Sequence, residues 1–196
     1  VSKSPGNARA HCNLGVFYAA GGRADEAFNQ LKIAVALDPS DSRAHFNLAC
    51  SYGSKGMSDK EIAHYEYAVA LNPDFAMAYE NLGAAYNSAG RYEDAKKALE
   101  KAIGLQPYDT YAYNNLGNTY YFLKMYRKAG NLFRKALDIQ PDFIAARYNL
   151  IHAYMASDER EAVETELARL RELSPEYARR LVEETEYAEF IKRKKL

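Results

Sequence analysis

The sequence predicts an all-α fold made of repeated antiparallel helix pairs, and three observations support this prediction. Proline recurs at a spacing of 34 residues along the chain of 196 residues, from Pro5 to Pro175. Tyrosine keeps the same spacing from Tyr18 to Tyr154, and leucine and asparagine series share the register. Within each repeat, apolar residues recur at three- and four-residue steps, as in a helix that buries one face.

The register divides most of the chain into five repeats, 8–41, 42–75, 76–109, 110–143 and 144–177. The fourth repeat shows the pattern most clearly. Its first helix has an aromatic residue, then Leu-Gly three residues later and Tyr three residues after the Gly; its second helix has Ala and, four residues later, Phe, and a Pro follows that helix. Those residues are Tyr113, Leu116, Gly117, Tyr120, Ala129, Phe133 and Pro141. This pattern resembles the tetratricopeptide repeat family. The resemblance implies a right-handed α-solenoid, or superhelix, whose first helices line a concave groove.

Residues 1–7 precede the first complete repeat. Because Pro5 is in register with the other prolines, these residues are either the tail of an earlier repeat or a disordered leader. The chain opens on Val1 rather than on Met, so we expect a segment that lacks its native N-terminus. Glycines in repeats one, three and four are expected to face the alanines at the start of the second helix, where small residues let helices approach closely.

Repeat two departs from the pattern because Ala49 takes the glycine position and Glu61 takes the alanine position. Ser58 and Glu61 match a capping box, which predicts a late start for the second helix. Repeat five also departs, since Ile151 and Val163 replace the small pair, as is typical of a terminal repeat.

Residues 178–196 are predicted to form a capping helix and a basic tail. The helix, 178–191, has a narrow apolar edge and is expected to cover the last repeat; the alternative is a dimerisation helix. That edge consists of Leu181, Val182, Ala188 and Ile191. The basic run 192–195 is expected to be a solvated tail.

Charge and cysteine content limit the classes of partner and compartment. The 26 Lys and Arg balance the 26 Asp and Glu, which argues against nucleic-acid binding because that needs a basic face. No apolar run is long enough to cross a bilayer, so membrane insertion is not expected.

The two cysteines lie in neighbouring repeats, but Cys50 stands one helical turn later in its repeat than Cys12 does, so a disulfide between them is not the default. This favours reduced thiols and a cytoplasmic location.

A series of five asparagines on the first helices is the main candidate for ligand binding. Each Asn side chain offers two donors and one acceptor oxygen, so a ladder of them can hold the backbone of an extended peptide. The series resembles the asparagine ladder of a glycosyltransferase with this type of repeat. The alternative is that these amides only bond between adjacent helices. The series is Asn13, Asn47, Asn81, Asn115 and Asn149.

The family resemblance places further residues in the groove. Four aromatic residues in repeats four and five, Tyr111, Tyr121, Phe122 and Tyr148, suggest a binding surface; the alternative is that Tyr121 and Phe122 pack on the following repeat. The remaining candidates are Arg9, Arg43, Phe46, Met77, Glu80, Asn87, Asn114, Asn118 and His152.

Two functions are not expected. The basic positions that bind a chaperone's C-terminal carboxylates in some family members hold other residues here. Catalysis finds no support, because no residues form a catalytic, metal-binding or cofactor-binding pattern. His11 and His45 occupy the aromatic repeat position and are expected to pack, while His152 lacks a metal partner at suitable spacing.

The sequence therefore predicts a non-catalytic scaffold that binds a protein partner, as an extended peptide or short helix, in the concave groove. Two alternatives remain open. The chain is either the substrate-selecting arm of a larger enzyme, such as a glycosyltransferase, or a scaffold that self-associates through its repeat ends.

Overall fold

The computed structural model describes residues 5–192 and contains only helices in that range, which confirms the predicted all-α class. The helices are α1 (Pro5–Ala20), α2 (Ala24–Leu37), α3 (Ser42–Ser54), α4 (Ser58–Leu71), α5 (Ala76–Ser88), α6 (Tyr92–Leu105), α7 (Thr110–Phe122), α8 (Tyr126–Ile139), α9 (Ile144–Ala156), α10 (Arg160–Leu173), α11 (Pro175–Glu183) and α12 (Thr185–Lys192). The chain divides into two compact units. An N-terminal unit up to Leu105 contains α1–α6, and a C-terminal unit from Gln106 contains α7–α12.

Tight turns join the two helices of each repeat. Each turn has three residues, so the two helices run antiparallel side by side. The middle residue of each turn has a positive φ, and these middle residues recur every 34 positions. They are Gly22, Gly56, Gly90, Lys124 and Asp158. Only glycine adopts this left-handed conformation without steric cost, so the last two turns carry strain.

Aspartates cap two of the first helices. The Asp41 carboxylate accepts hydrogen bonds from the backbone N–H groups of Arg43 and Ala44, and Asp109 does the same for Tyr111 and Ala112. Such caps satisfy amides that have no partner inside the helix, and each contributes about 1 kcal/mol. The caps therefore help to set where α3 and α7 begin.

Each unit buries its own apolar residues. In the N-terminal unit one cluster joins three helices and consists of Cys12, Leu31, Ala34, Ala44, Leu48 and Tyr52. In the C-terminal unit one cluster consists of Ala129, Phe133, Leu150 and Ala153, and a larger one of Ile151, Met155, Val163, Leu167, Leu170, Ala178, Leu181 and Phe190. Burying one such large side chain stabilises the fold by about 1.5–3 kcal/mol.

Glycines allow close helix crossings, but their partners differ from the prediction. A Cβ atom on Gly83 would lie 2.4 Å from Leu99 Cγ, and one on Gly117 would lie 2.5 Å from Phe133 Cε1. The glycines are predicted to face the alanines, and at Gly15 the Ala27 carbonyl oxygen is indeed 3.3 Å from such a Cβ atom, but the nearest atoms belong to the side chain one turn later. Helical side chains lean toward the N-terminus of their helix, so the residue four positions later covers the contact.

The second helix of repeat two starts in register, so the prediction of a late start is wrong. Helix α4 begins at Ser58 after Met57, and no side chain caps it. Glu61 instead lies over Gly53, where a Cβ atom would be 2.5 Å from Glu61 Oε1. A glycine one turn after Ala49 thus makes room for the glutamate, and burial raises the pKa of its carboxyl group.

The first helix begins earlier than predicted. Helix α1 starts at Pro5, so residues 5–7 are helical. Proline fits the first turn of a helix because its fixed φ suits that position and its missing N–H is not needed there. The rest of the predicted leader, 1–4, lies outside the described residues.

The capping segment is two helices and not one, so the prediction of a continuous helix over 178–191 is wrong. The backbone at Glu184 is extended, with φ −68° and ψ 143°, and separates α11 from α12. Leu181 is buried as predicted, but Val182 and Ala188 are exposed. The break instead brings Phe190 into the core of the last repeat. The basic tail after Lys192 lies outside the described residues.

Candidate protein-interaction surface

The predicted groove residues lie on the first helix of each repeat, and we call these surfaces the first-helix faces. They belong to α1, α3 and α5 in the N-terminal unit and to α7 and α9 in the C-terminal unit. The exposed members are Arg9, Asn13, Arg43, Met77, Tyr111 and Phe122. The half-buried members are Phe46, Asn47, Glu80, Asn81, Asn87, Asn115, Asn118, Tyr121, Tyr148, Asn149 and His152.

Three members of the asparagine series bond to a neighbouring helix. Asn47 Nδ2 donates to Cys12 Sγ at 3.5 Å, and Asn149 Nδ2 donates to Asn114 Oδ1 at 3.0 Å. Asn81 hydrogen-bonds the Tyr65 hydroxyl. These bonds match the alternative that the amides join adjacent helices. Each amide has further donor and acceptor capacity, so a role in ligand binding stays a prediction.

The prediction places Asn114 in the groove, where its side chain would be open to a ligand. In the structure it is not. Its side chain is buried, and its Oδ1 accepts the bond from Asn149. A buried amide needs partners inside the protein, and Asn149 supplies one. Asn114 therefore orients the next first helix, and it is not an open contact.

Phe46 is a packing residue in the N-terminal unit. Its ring centroid lies 5.0 Å from that of Phe75 and 5.7 Å from that of Tyr65. The Tyr65 hydroxyl in turn lies 3.2 Å from Cys50 Sγ. These contacts join α3, α4 and the residue before α5, so Phe46 contributes mainly to repeat stacking.

The aromatic residues of the C-terminal unit differ in exposure. Tyr111 is 61% exposed, although its ring contacts Phe143 at 5.1 Å, and Phe122 is 52% exposed. Tyr121 is half-buried and stacks edge-on against Tyr126 at 5.3 Å. Tyr111 and Phe122 are thus the large aromatic surfaces that this unit presents to solvent from α7.

Acidic residues of the capping segment contact the first-helix face of repeat five. The Tyr148 hydroxyl donates to the Glu184 carboxylate, and His152 lies within 3.1 Å of Glu184 and 3.2 Å of Glu186. Burial and Glu184 raise the pKa of Tyr148. The repeat pattern did not predict a role for these glutamates. Glu184 lies 36 residues from Tyr148 and Glu186 lies 34 residues from His152, but the extended backbone between α11 and α12 sets these contacts, so the repeat spacing alone could not have found them.

Among the cavities beside first-helix residues, one in each unit bears on ligand binding. The cavity in the N-terminal unit, about 290 Å³, is lined by small and apolar residues without a charged group: Val16, Ala19, Gly22, Ala24, Ala27, Leu31, Asn47, Cys50, Ser51 and Ser54. The cavity in the C-terminal unit, about 320 Å³, we call the acidic aromatic pocket. It is lined by Tyr121, Tyr126, His152, Met155, Ala156, Glu186, Glu189 and Phe190.

The predicted packing role of His45 is confirmed. His45 is buried, its Nε2 lies 3.1 Å from the Pro39 carbonyl oxygen, and its Nδ1 lies 3.0 Å from His64 Nδ1. A neutral pair satisfies both contacts when His45 Nε2 donates to the carbonyl and His64 Nδ1 donates to His45 Nδ1. Burial lowers the pKa of both rings.

The equivalent crossing in repeat five carries a charged pair. The buried Arg147 guanidinium donates to the Glu166 carboxylate and, at 2.6 Å, to the Pro141 carbonyl oxygen. Arg169 also donates to Glu166, at 2.7 Å. This pairing allows both charges to be buried, although Arg147 Nε has no hydrogen-bond partner among the described residues.

The described residues show neither a metal site nor a membrane span. Across 5–192, no three His, Cys, Asp or Glu side chains come together as a metal site requires. In the same range, no helix combines the length and apolar character that a bilayer-spanning segment needs. The ring nitrogens of His152 contact the carboxylates of Glu184 and Glu186.

Several solved structures share this fold. A MamA structure from Desulfovibrio magneticus RS-1 has a TM-score of 0.79 and 21% identity, covering 86% of this chain and 96% of its own. PilF of Pseudomonas aeruginosa has a TM-score of 0.76 and 22% identity, covering 95% and 97%. YrrB, described as a TPR protein with an unusual peptide-binding site, has a TM-score of 0.72 and 20% identity, covering 86% and 88%. These likenesses confirm the predicted α-solenoid fold class.

Family models match nearly the whole chain. Four models, each described as tetratricopeptide repeat, match residues 1–42, 42–75, 74–142 and 123–183. No curated protein sequence matches the chain significantly. The repeat spacing, the antiparallel helix pairs and these matches agree, and the chain belongs to the tetratricopeptide repeat family.

Proposed function

We propose that this protein is a non-catalytic scaffold that binds a segment of a partner protein on its first-helix faces. The observation that carries this proposal is the exposure of Met77 and Tyr111. These residues occupy the same position of consecutive repeats and are 56% and 61% exposed. Large apolar side chains that packing does not require are typical of binding surfaces.

Polar residues beside them suit a peptide backbone. Asn13 is exposed on α1, and Asn47, Asn81 and Asn149 keep donor or acceptor capacity beyond their bonds between helices. In the proposed mode, amides bind the partner's backbone while Met77 in the N-terminal unit or Tyr111 in the C-terminal unit contacts an apolar side chain. The peptide-binding site described for YrrB, which shares the fold, supports a peptide as the type of partner.

Self-association is a second candidate, and the face of α1 favours it. Phe17 is 68% exposed and Leu14 is 38% exposed, whereas the repeat equivalents of Leu14 in α3 and α5, Leu48 and Leu82, are buried. A second copy that covers this face would remove apolar surface from water. Light scattering tests this: the mass should rise with concentration, and Phe17→Glu should abolish the rise. A constant monomer mass contradicts self-association.

A capture experiment with matched variants tests the scaffold. The variant Met77→Ala/Tyr111→Ala changes the first-helix faces. The control Met57→Ala/Tyr108→Ala removes one exposed Met and one exposed Tyr elsewhere, since Tyr108 is 82% exposed in a loop and Met57 precedes α4. Both variants are first checked for unchanged helicity by circular dichroism.

The expected result is that a partner captured from the native lysate is lost with Met77→Ala/Tyr111→Ala and retained with the control. A synthetic peptide from the captured partner should then bind the wild type and not the first variant. Equal capture by both variants would show that the partner binds elsewhere and would overturn the proposal.

A further inference from the structure

We propose that the acidic aromatic pocket binds an arginine side chain of the partner peptide. This inference rests on the proposed function and names the chemistry that one part of the surface selects. The pocket lies where the ends of α7 and α9 and the start of α8 face α12. Its volume, about 320 Å³, is at the lower end of the range for small-ligand sites.

The pocket wall combines aromatic rings with carboxylates. Tyr121 and Tyr126 supply the half-buried rings, since Phe190 is buried, and Glu186 and Glu189 supply two negative charges. Among the described lining residues there is no Lys or Arg. A guanidinium group is planar and weakly hydrated, so it stacks on aromatic faces and donates paired hydrogen bonds to carboxylates. The wall is therefore complementary to arginine in charge and in shape.

The two carboxylates are available to a ligand. Within 5–192, Glu189 is exposed and forms no ion pair or hydrogen bond, and the partner of Glu186 is His152 Nδ1 at 3.2 Å. Glu184 lies beside them and binds Tyr148 and His152. An incoming cation would meet negative charge that the protein neutralises only in part.

The negative charge of the glutamates beside the pocket affects the pKa of Tyr121, one of its lining residues. Burial raises the pKa of the Tyr121 hydroxyl, and the negative charge of Glu186 and Glu184 raises it further. The protein also uses the same chemistry nearby, since the Arg160 guanidinium lies 4.6 Å from the centre of the Phe190 ring. A cation is thus favoured over an anionic or neutral side chain at this place.

Titration with short peptides tests the inference on the whole chain. The probes are acetyl-Gly-Arg-Gly-amide and the uncharged acetyl-Gly-Gln-Gly-amide, followed by backbone and aromatic NMR shifts. The variant Glu186→Gln/Glu189→Gln neutralises the pocket. The control Glu172→Gln/Glu176→Gln removes two exposed acids of the same unit that do not line it.

The arginine peptide should shift resonances of Tyr121 and Tyr126, and its affinity should fall by about fivefold in the pocket variant and stay unchanged in the control. The glutamine peptide should cause no such shifts. Equal binding of both peptides, or unchanged affinity in the pocket variant, overturns the inference. A chain with Arg193, Lys194 and Lys195 replaced by serine is titrated in parallel so that its own cations do not compete. Absence of binding in both chains also overturns it.

The outcome separates this inference from the scaffold proposal. Loss of partner capture in Met77→Ala/Tyr111→Ala without arginine binding leaves the scaffold and removes the arginine site. Equal capture by Met77→Ala/Tyr111→Ala and its control removes the scaffold, whatever the peptides show.

Discussion

The same helix crossing holds a neutral pair in the N-terminal unit and a charged pair in the C-terminal unit. His45 reaches the Pro39 carbonyl and His64, while Arg147 reaches the Pro141 carbonyl and Glu166. The separations along the chain are the same, six and nineteen residues. In repeats two and five this crossing therefore holds a polar contact, whereas the equivalent positions of repeats three and four are Tyr79 with Ala98 and Tyr113 with Leu132. Which residues occupy the crossing decides whether it responds to pH.

The largest expected effect breaks the charged pair. Arg147→Met leaves Glu166 buried with only Arg169 as a charged partner. The free energy of unfolding should fall by about 3 kcal/mol, because the carboxylate loses its buried cation. Urea denaturation measures this. Arg147→Met/Glu166→Leu should recover most of the loss, and a single variant as stable as the wild type would contradict the prediction.

A second substitution tests the close helix crossing in the C-terminal unit. A Cβ atom on Gly117 would meet the Phe133 ring at 2.5 Å, whereas one on Gly130 meets nothing closer than 3.7 Å. Gly117→Ala should therefore lower the free energy of unfolding by about 1–3 kcal/mol, since a packed ring cannot shift freely. Gly130→Ala is the matched control and should not destabilise the chain. Thermal denaturation compares the two.

The neutral pair should make the N-terminal unit sensitive to acid. The pKa of His45 and of His64 is lowered from the ordinary value of 6.5 by burial, so the unfolded chain takes up protons first as pH falls. Stability is thus full above about pH 6.5 and decreases as the pH falls below it. His64→Gln should weaken this dependence while keeping a hydrogen-bonding side chain. Melting temperatures from about pH 8 to about pH 5 measure it. An identical profile in His64→Gln contradicts the assignment.

The smallest expected effect concerns the hairpin turns. Turns in the N-terminal unit place Gly22, Gly56 and Gly90 at positive φ, and those in the C-terminal unit place Lys124 and Asp158 there, at 59° and 58°. Lys124→Gly should raise the free energy of unfolding by about 1 kcal/mol. Gly90→Ala should lower it by a similar amount. Equal stability of the wild type and both variants would show that the turns carry no strain.

Much of the fold was predictable because the period is long and strict. Residues that recur every 34 positions define the helix pairs, and α4 and α6 begin 34 residues apart as this period predicts. The prediction failed where a local signal competed with packing. Ser58 and Glu61 suggested a cap, yet Gly53 lets the glutamate lie in the crossing. A capping motif reports local preference only, and tertiary contacts override it.

The candidate surface was predictable in position but not in chemistry. The repeat frame placed Met77 and Tyr111 on exposed first-helix positions, and both are exposed. The same frame did not show that Asn114 is buried under Asn149. It also did not show that Glu184 meets Tyr148, because that contact depends on the extended backbone between α11 and α12.

The sequence by itself determined the family, the helix pairs and their register, since periodic apolar positions can be buried in only one way along each helix. Only the tertiary structure decided which polar groups are satisfied inside the protein and which remain for a partner. That difference has a physical cause. Hydrogen bonds and burial depend on distances between residues that are far apart in the chain, and no spacing rule records the break at Glu184 that forms the acidic aromatic pocket.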